Sequence, residues 1–167
     1  MRKLNMYLLG DDCTVYGFDK KGCKFCFDLQ DFDIVWKYRW SVDFNGYVIG
    51  SGSGKQVKLH RLLLKPKQGE LVDHINGDPS DNRRCNLRFC GYRENLSNSS
   101  MRSNNTTGYK GVVKLKNGKY KAQISLNYKR FNLGEFFTAE EAAAAYDRAA
   151  VLYHGDFART NKMMEVL

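Results

Sequence analysis

A polar loop between two short apolar segments constrains this chain more than any other feature of its sequence. Residues 76–82 read Asn-Gly-Asp-Pro-Ser-Asp-Asn, and such residues favour turns and interrupt helices and strands. Residues 71–75 and 86–90 on either side read as strands, and a short helical pattern follows from Tyr92 to about Ser100. The order strand, loop, strand, helix therefore predicts a compact unit of the α+β class.

The region before this unit has the pattern of a small antiparallel sheet. Asn45-Gly46 is the strongest short hairpin signal in the sequence, because this dipeptide suits a tight two-residue turn. A second turn, at 19–22, also separates two segments that read as strands. We therefore predict short strands at 15–18, 23–28, 38–44, 47–49 and 55–59.

The C-terminal third of the sequence predicts three strands followed by one helix. The strands lie at 109–115, 119–126 and 129–133. Thr138 and Glu141 form a capping-box pattern, in which each side chain accepts a hydrogen bond from the backbone N–H of the other residue. Small apolar residues then recur at helical spacing, and Gly155 ends the pattern. Residues 101–108, before the first strand, lack apolar periodicity and read as a linker.

The distribution of charge favours a polyanionic partner. The formal net charge is +9, and eight cations with no acidic residue among them lie from Arg102 to Arg130, interleaved with three tyrosines. Such a stretch suits a surface that lies along phosphates. The N-terminus has the apolar length of neither a signal peptide nor a membrane span. We therefore expect a cytoplasmic protein without membrane association.

Four polar residues of the central unit have the chemistry that phosphodiester hydrolysis requires. Asp73 and His74 are adjacent at the end of a predicted strand, Asn86 lies on the next strand, and Asn95 lies in the helix. Hydrolysis needs a base to activate water and a cation to neutralise charge on the phosphate and the leaving oxygen. If these elements pack together, a carboxylate, an amide oxygen and an imidazole can converge on one hydrated ion of the Mg²⁺ class.

This central unit resembles the HNH (His-Asn-His) endonucleases, in particular the homing endonucleases of phages and mobile introns. The resemblance is carried by Val72-Asp73-His74-Ile75-Asn76-Gly77-Asp78, by Asp81-Asn82-Arg83-Arg84-Cys85-Asn86-Leu87-Arg88 and by Glu94-Asn95. It implies a ββα-metal fold in which His74 is the general base and Asp73 and Asn95 bind Mg²⁺ or Mn²⁺. It also implies that Asn86 orients His74 through the ring N–H. Asn95 occupies the last motif position instead of His, a departure that also occurs within the homing group.

The C-terminal segment, about 106–161, resembles the plant ethylene-response-factor (Apetala-type) DNA-binding domain. The resemblance is carried by residues 109–112, 118–124, 132–136 and 138–147. It implies that the three-stranded sheet enters the major groove of duplex DNA, where amide side chains can pair with adenine. The residues expected to contact DNA, in the two resembling regions together, are Arg61, Arg83, Arg84, Arg93, Lys110, Lys114, Lys116, Lys119, Lys121, Gln123, Arg130 and Asn132.

The five cysteines are expected to be reduced, because their number is odd and the sequence shows no export signal. Cys23 and Cys26, like Cys85 and Cys90, approach the spacing of zinc ligands. Residues three apart on a strand point to opposite faces, however. We therefore favour packed free thiols over a structural zinc site.

Together these patterns predict an α+β protein with four parts: a β-rich region with a small antiparallel sheet at 1–54, a ββα-metal nuclease core at 55–100, a linker at 101–108, and a three-stranded sheet packed on one helix at 109–167. We interpret the chain as a metal-dependent homing-type endonuclease that cuts duplex DNA at a specific site without an obligatory protein partner. Nicking is favoured for a monomer, because one ββα site cuts one strand. The alternatives are a non-catalytic DNA-binding regulator that retains the nuclease scaffold and an RNA-processing enzyme.

Overall fold

The computed structural model describes residues 5–52, 55–98, 101 and 104–164. The chain forms two compact units, Met1–Gly91 and Tyr92–Leu167, which are described separately below. Both units mix short helices with small antiparallel sheets. Within the described ranges, no helix has the length and apolar character needed to cross a membrane.

The first unit begins with a three-stranded antiparallel sheet, β1 (Met6–Leu9), β2 (Thr14–Phe18) and β3 (Lys24–Asp28). The carboxylate of Asp19 shapes the β2–β3 turn, because its Oδ1 accepts hydrogen bonds from the backbone N–H groups of Lys21 (2.8 Å) and Cys23 (2.9 Å). A short helix, α1 (Phe32–Val35), follows β3. The strands β2 and β3 confirm the sequence-based prediction, whereas β1 was not predicted.

A second three-stranded sheet follows α1 and contains β4 (Arg39–Val42), β5 (Val48–Gly52) and β6 (Lys55–Lys58). The predicted Asn45-Gly46 turn joins β4 to β5, and Gly46 has a φ of 84°, which favours glycine. The sequence suggested one N-terminal sheet, but the structure has two. The physical reason is that α1 separates β3 from β4, so that β4 pairs with β5 and not with β3.

The predicted strand–loop–strand–helix unit is present as separate elements. Helix α2 (Leu59–Leu64) precedes β7 (Leu71–His74), and β7 pairs antiparallel with β8 (Leu87–Cys90). A tight helical turn, Arg84–Asn86, leads from the polar loop into β8. Helix α3 (Tyr92–Ser97) comes next along the chain and falls in the second compact unit.

One hydrophobic core joins all parts of the first unit. Phe25 and Phe27 from β3, Trp40 from β4, and Leu59 and Leu63 from α2 are buried in it. In each of the two three-stranded sheets of this unit, a buried aromatic ring packs directly against a glycine. A Cβ on Gly17 would collide with the ring of Phe25, and a Cβ on Gly50 would collide with the ring of Trp40. The β-rich region and the β7–β8 pair are therefore stabilised by the same core.

The second unit contains the predicted three-stranded sheet and helix. Its strands are β9 (Val112–Lys114), β10 (Tyr120–Leu126) and β11 (Lys129–Phe136), with β10 in the centre. Helix α4 (Ala139–His154) packs its buried alanines on this sheet, and a short helix, α5 (Asn161–Met164), follows. The predicted capping box is confirmed, since the backbone N–H of Glu141 donates to Thr138 Oγ1 at 3.2 Å and that of Thr138 donates to Glu141 Oε2 at 3.3 Å.

Candidate active site

Asp73 and His74 lie at the end of β7, and both are buried, with relative exposures of 7% and 4%. In the antiparallel ladder, Asp73 lies opposite Arg88 and His74 lies opposite Leu87. Neighbouring residues of a strand point to opposite faces, so both faces of this strand are covered. The fold therefore excludes most solvent from the two residues that the sequence singled out.

Both the nitrogen and the oxygen of the Asn86 side-chain amide form hydrogen bonds with the polar loop, residues 76–82. Its Nδ2 donates to Asn76 Oδ1 (2.9 Å) and to the carbonyl oxygen of Asp81 (2.8 Å), while its Oδ1 accepts from the backbone N–H of Asn76 (2.9 Å). In the part of the chain that the structure describes, no hydrogen bond of the Asn86 side chain goes to His74. The backbone of Asn86 contacts the residue after His74, because the N–H of Ile75 donates to the Asn86 carbonyl at 2.8 Å. A role of Asn86 in orienting His74 stays a prediction.

The same loop is attached to the edge of the first sheet. The N–H of Cys26 on β3 donates to the carbonyl of Ser80 (3.0 Å), and the N–H of Asn82 donates to the carbonyl of Cys26 (2.8 Å). The Cys26 thiol donates to Asp81 Oδ1 at 3.3 Å. Burial, together with the adjacent Asp81 carboxylate, raises the pKa of this thiol to about 12. Cys26 therefore acts as a buried hydrogen-bond donor that anchors the loop.

The imidazole of His74 packs against two other rings. The ring centroids of His60 and His74 are 5.0 Å apart with an interplanar angle of 82°, an edge-to-face arrangement. The ring of Tyr47 lies 5.5 Å from His60 and 6.1 Å from His74. The ammonium of Lys58 sits 4.0 Å from the centre of the Tyr47 ring. We call His60, His74 and Tyr47 the ring cluster.

Burial lowers the pKa of His74, although the Asn82 amide and the carboxylate of Asp73 act in the opposite direction. Burial, with a smaller contribution from His74, lowers the pKa of His60 to about 3. Both imidazoles are therefore neutral near pH 7. A neutral imidazole is the form that can accept a proton from water.

The carboxylate of Asp73 is paired with a guanidinium. Arg88 donates to Asp73 Oδ2 from Nε (3.0 Å) and from Nη2 (2.7 Å), and both side chains are largely buried. Such charge-assisted hydrogen bonds are among the stronger contacts in proteins. A metal ion bound by Asp73 would therefore share this carboxylate with the guanidinium of Arg88.

Asn95, the other predicted metal ligand, lies in α3 of the second unit and has an exposed side chain. Among the described residues, no three His, Cys, Asp or Glu side chains are grouped so as to hold a metal ion. The predicted donors are instead one carboxylate and one amide oxygen. Carboxylate and amide oxygens are ligands preferred by hard divalent ions that keep several waters, whereas zinc is more often bound by sulfur and nitrogen.

The open face of the C-terminal sheet carries four of the residues expected to contact DNA, Lys121, Gln123, Arg130 and Asn132, whereas Lys114 shares the other face with Val112. On β10, Ala122 and Ile124 are buried against α4, so Lys121, Gln123 and Ser125 point to the other face. Gln123 lies directly opposite Asn132, and Ser125 opposite Arg130. Of the predicted contacts in this sheet and its turns, Lys114, Lys116, Arg130 and Asn132 are exposed, and Lys119, Lys121 and Gln123 are half-buried.

Lys110 differs from the other predicted DNA contacts because its backbone forms hydrogen bonds with the side chain of Asn161. Its backbone N–H donates to Asn161 Oδ1 at 2.6 Å, and Asn161 Nδ2 donates to its carbonyl at 3.2 Å. Burial, with Arg159 nearby, lowers the pKa of the Lys110 amine to about 8. A contact between Lys110 and DNA stays a prediction.

Comparison with known proteins decides the family. Residues 57–97 match the model of the HNH endonuclease family. An uncharacterized HNH endonuclease of Acanthamoeba polyphaga mimivirus is 33% identical over 141 residues, which cover 81% of this chain and 73% of the viral protein. The chain belongs to the HNH endonuclease family. It is thus a nuclease.

The C-terminal region of this HNH endonuclease is similar to plant transcription factors. An AP2/ERF and B3 domain-containing transcription factor of Arabidopsis thaliana is 53% identical over 47 residues, which are 28% of this chain and 13% of the plant protein. An ethylene-responsive transcription factor of Medicago truncatula is 44% identical over 66 residues, 38% of this chain and 25% of that protein. The similarity covers only a small part of each plant protein, and it confirms the resemblance that the sequence motifs indicated.

Two predicted phosphate contacts of the HNH endonuclease have their guanidinium groups engaged within the protein. Arg83 donates to both oxygens of Asp81, at 2.9 and 2.7 Å, and Arg84 donates to both oxygens of Asp31, at 2.9 and 2.8 Å. Arg61 is exposed, and its Nη1 donates to the carbonyl of Glu70 at 3.5 Å. The side chain of Arg93 lies outside the described residues. Arg83 and Arg84 therefore have a structural role first, and their contact with DNA stays a prediction.

Four residues near the candidate base of the HNH endonuclease were not assigned a role in catalysis by sequence reasoning: Tyr47, Lys58, His60 and Asn82. Asn82 lies in the recognised motif, so its polar side chain inside a loop was a usable signal. Tyr47 and Lys58 come from the second sheet, and His60 from α2. Only tertiary packing brings these three to His74.

Proposed function

We propose that this HNH endonuclease nicks duplex DNA at a specific site with the help of Mg²⁺ or Mn²⁺, as a homing enzyme of a phage or another mobile element. The observation that carries the proposal is the buried, neutral imidazole of His74 beside the Asp73 carboxylate. The viral relative supports a mobile origin. The place of action that we propose is the cytosol of a bacterial or phage-infected host.

His74 acts as the general base in this proposal. Its neutral imidazole takes a proton from water, and the resulting oxygen attacks the phosphorus while the bond to the leaving oxygen breaks. The loop that Asn86 and Cys26 hold in place keeps the end of β7 rigid on one side, and the ring cluster borders the imidazole on another. Burial disfavours the charged imidazolium and so keeps the base neutral.

Asp73 and Asn95 hold the divalent ion in this proposal. When bound, such an ion supplies positive charge for the phosphate and the leaving oxygen. This arrangement needs β7, β8 and α3 to form a ββα core, with the linker at 101–108 between this core and the DNA-binding module at 109–167. The oxygen donors of Asp73 and Asn95 support the choice of a hard ion such as Mg²⁺ or Mn²⁺.

The C-terminal module directs cleavage to a site on duplex DNA in this proposal. Lys121 and Arg130 lie on the open face of the sheet, where they suit phosphate contacts that position the protein, and Lys114 and Lys116 are exposed at the end of β9 and in the turn after it. Gln123 and Asn132 are direct neighbours across β10 and β11. Two adjacent amides on a strand pair suit base contacts in the major groove.

A plasmid assay tests the proposal. Supercoiled DNA is incubated with the full chain and Mg²⁺ or Mn²⁺, with the same mixture plus EDTA, with His74→Ala and with His154→Ala as a matched histidine control in the other unit. We expect nicked circles with the wild type and His154→Ala, and none with EDTA or His74→Ala. DNA binding without any metal-dependent nicking by the wild type would instead describe a non-catalytic regulator, and preferential cleavage of structured RNA would describe an RNA-processing enzyme.

A further inference from the structure

Among the described residues, His60 makes the closest ring contact to the candidate base. It is the second residue of α2, and its neighbours Leu59 and Leu63 on that helix are buried in the hydrophobic core. The core therefore fixes the helix, and the helix presents the His60 ring to His74 at 5.0 Å and 82°. A side chain held in this way has little freedom to turn.

The polar chemistry of His60 does not explain its position. Its Nδ1 is fully buried and has no hydrogen-bond partner within the described residues. A buried nitrogen without a partner destabilises a protein relative to an apolar group of the same shape. If His60 only filled the core, an apolar side chain would serve better, so the contact with His74 is the feature that calls for an explanation.

We propose that His60 is a positioning residue, whose ring sets the plane of the His74 imidazole by edge-to-face packing. Tyr47 completes the contact, since its ring borders both histidines. The inference rests on the proposed role of His74 as general base. Misplacing a reacting group by about 1 Å can cost about a hundredfold in rate, so a ring that fixes the base has a large effect on turnover.

The neutral state of His60 agrees with this role. Because burial holds its pKa at about 3, His60 carries no charge at the pH at which His74 accepts a proton. It therefore neither takes the proton itself nor repels the cation that His74 becomes. The ammonium of Lys58, whose charge also acts on His60, lies over the ring of Tyr47.

Steady-state cleavage by full-length variants tests the inference. His60→Leu fills the volume without an aromatic ring, and His60→Phe keeps the ring without the nitrogens. Leu63→Ala is the matched control, because it weakens packing of the same helix in the core. For each variant, kcat and KM for nicking, the Tm, and the affinity for DNA in EDTA are measured, with His74→Ala in parallel.

We expect His60→Leu to lower kcat at least about tenfold, with KM and DNA affinity within twofold of wild type. His60→Phe should keep kcat within threefold of wild type. Leu63→Ala should lower the Tm, with a loss in kcat smaller than that of His60→Leu. If His60→Leu fails to fold, Tyr47→Leu takes its place and should show the same loss in kcat with unchanged KM.

Three results would overturn the inference. They are a wild-type kcat in His60→Leu, an equal loss of kcat in His60→Phe and His60→Leu, or a loss of kcat in Leu63→Ala as large as that in His60→Leu. The first would show that the contact has no effect, the second that the nitrogens matter and not the ring, and the third that only the stability of α2 matters. Full activity of His74→Ala is distinguishable from all of these, since it would remove the proposed function itself.

Discussion

Arg88 and Asp73 form an ion pair across the β7–β8 ladder, with both guanidinium contacts ending on Asp73 Oδ2, the shorter at 2.7 Å. Asp73 is also the carboxylate proposed to bind the divalent ion. The same carboxylate therefore has two candidate cations, and their competition has measurable consequences.

We expect Arg88→Gln to bind the divalent ion more tightly than the wild type. Removing the guanidinium takes one cation away from a buried carboxylate, which then gains more from a metal ion. Calorimetric titration with Mn²⁺ measures this directly, and the dissociation constant should fall at least about threefold, a difference of roughly 0.7 kcal/mol. Arg84→Gln, which breaks the pair with Asp31 instead, is the control. Equal or weaker Mn²⁺ binding by Arg88→Gln would show that Arg88 does not compete for the site.

The rate of cleavage should depend on pH through His74. Burial lowers the pKa of this imidazole below its ordinary value of 6.5, and only the neutral form can accept a proton. The rate should therefore rise with pH, pass its midpoint below 6.5 and reach a plateau near neutral pH. Single-turnover cleavage from pH 4.5 to 8 at constant ionic strength measures the midpoint. An acid limb centred above 6.5 would rule out this imidazole as the group that controls the rate.

Asn86→Ala should loosen the polar loop and thereby slow cleavage. The substitution removes three hydrogen bonds to Asn76 and Asp81 and leaves buried partners unsatisfied, so the free energy of unfolding should fall by about 1–3 kcal/mol. Chemical denaturation measures the loss, and Asn45→Ala in the exposed β4–β5 turn is the control. If Asn86→Ala were as stable as Asn45→Ala, the loop would not depend on this amide.

Lys114→Gln combined with Lys116→Gln should make DNA binding less sensitive to salt. Both lysines are exposed at the C-terminal sheet, and each phosphate contact that is lost lowers the slope of log affinity against log salt by about 0.9. Binding to duplex DNA in EDTA at several salt concentrations gives the slope. Lys20→Gln with Lys21→Gln, two exposed lysines of the first unit, is the control with the same change in charge. An identical drop in both variants would place the binding surface elsewhere.

Local signals predicted the secondary structure of this protein well. The Asn45-Gly46 turn and the capping box of Thr138 and Glu141 act within a few residues, and both are present as predicted. The strand at Met6–Leu9 was missed because it has no alternating pattern and no turn signal before it. Its position is set by pairing with β2, which is a tertiary effect.

The environment of the candidate site was less predictable, because its contacts join distant parts of the chain. Arg84 pairs with Asp31 across 53 residues, and Cys26 reaches Asp81 across 55 residues. No local pattern reveals such partners, so arginines that suggested phosphate contacts proved to be engaged in internal ion pairs. The side-chain amide of Asn86 holds the loop, and its role in orienting His74 stays a prediction.

The single-turnover cleavage rate of His74→Ala on an end-labelled duplex, at saturating protein and Mg²⁺, tests the central claim most directly. Removing the base should lower the rate by about 10²–10⁴-fold, while the affinity for the same DNA in EDTA stays within twofold of wild type. A rate within twofold of wild type would contradict the assignment of His74 as the general base of this endonuclease.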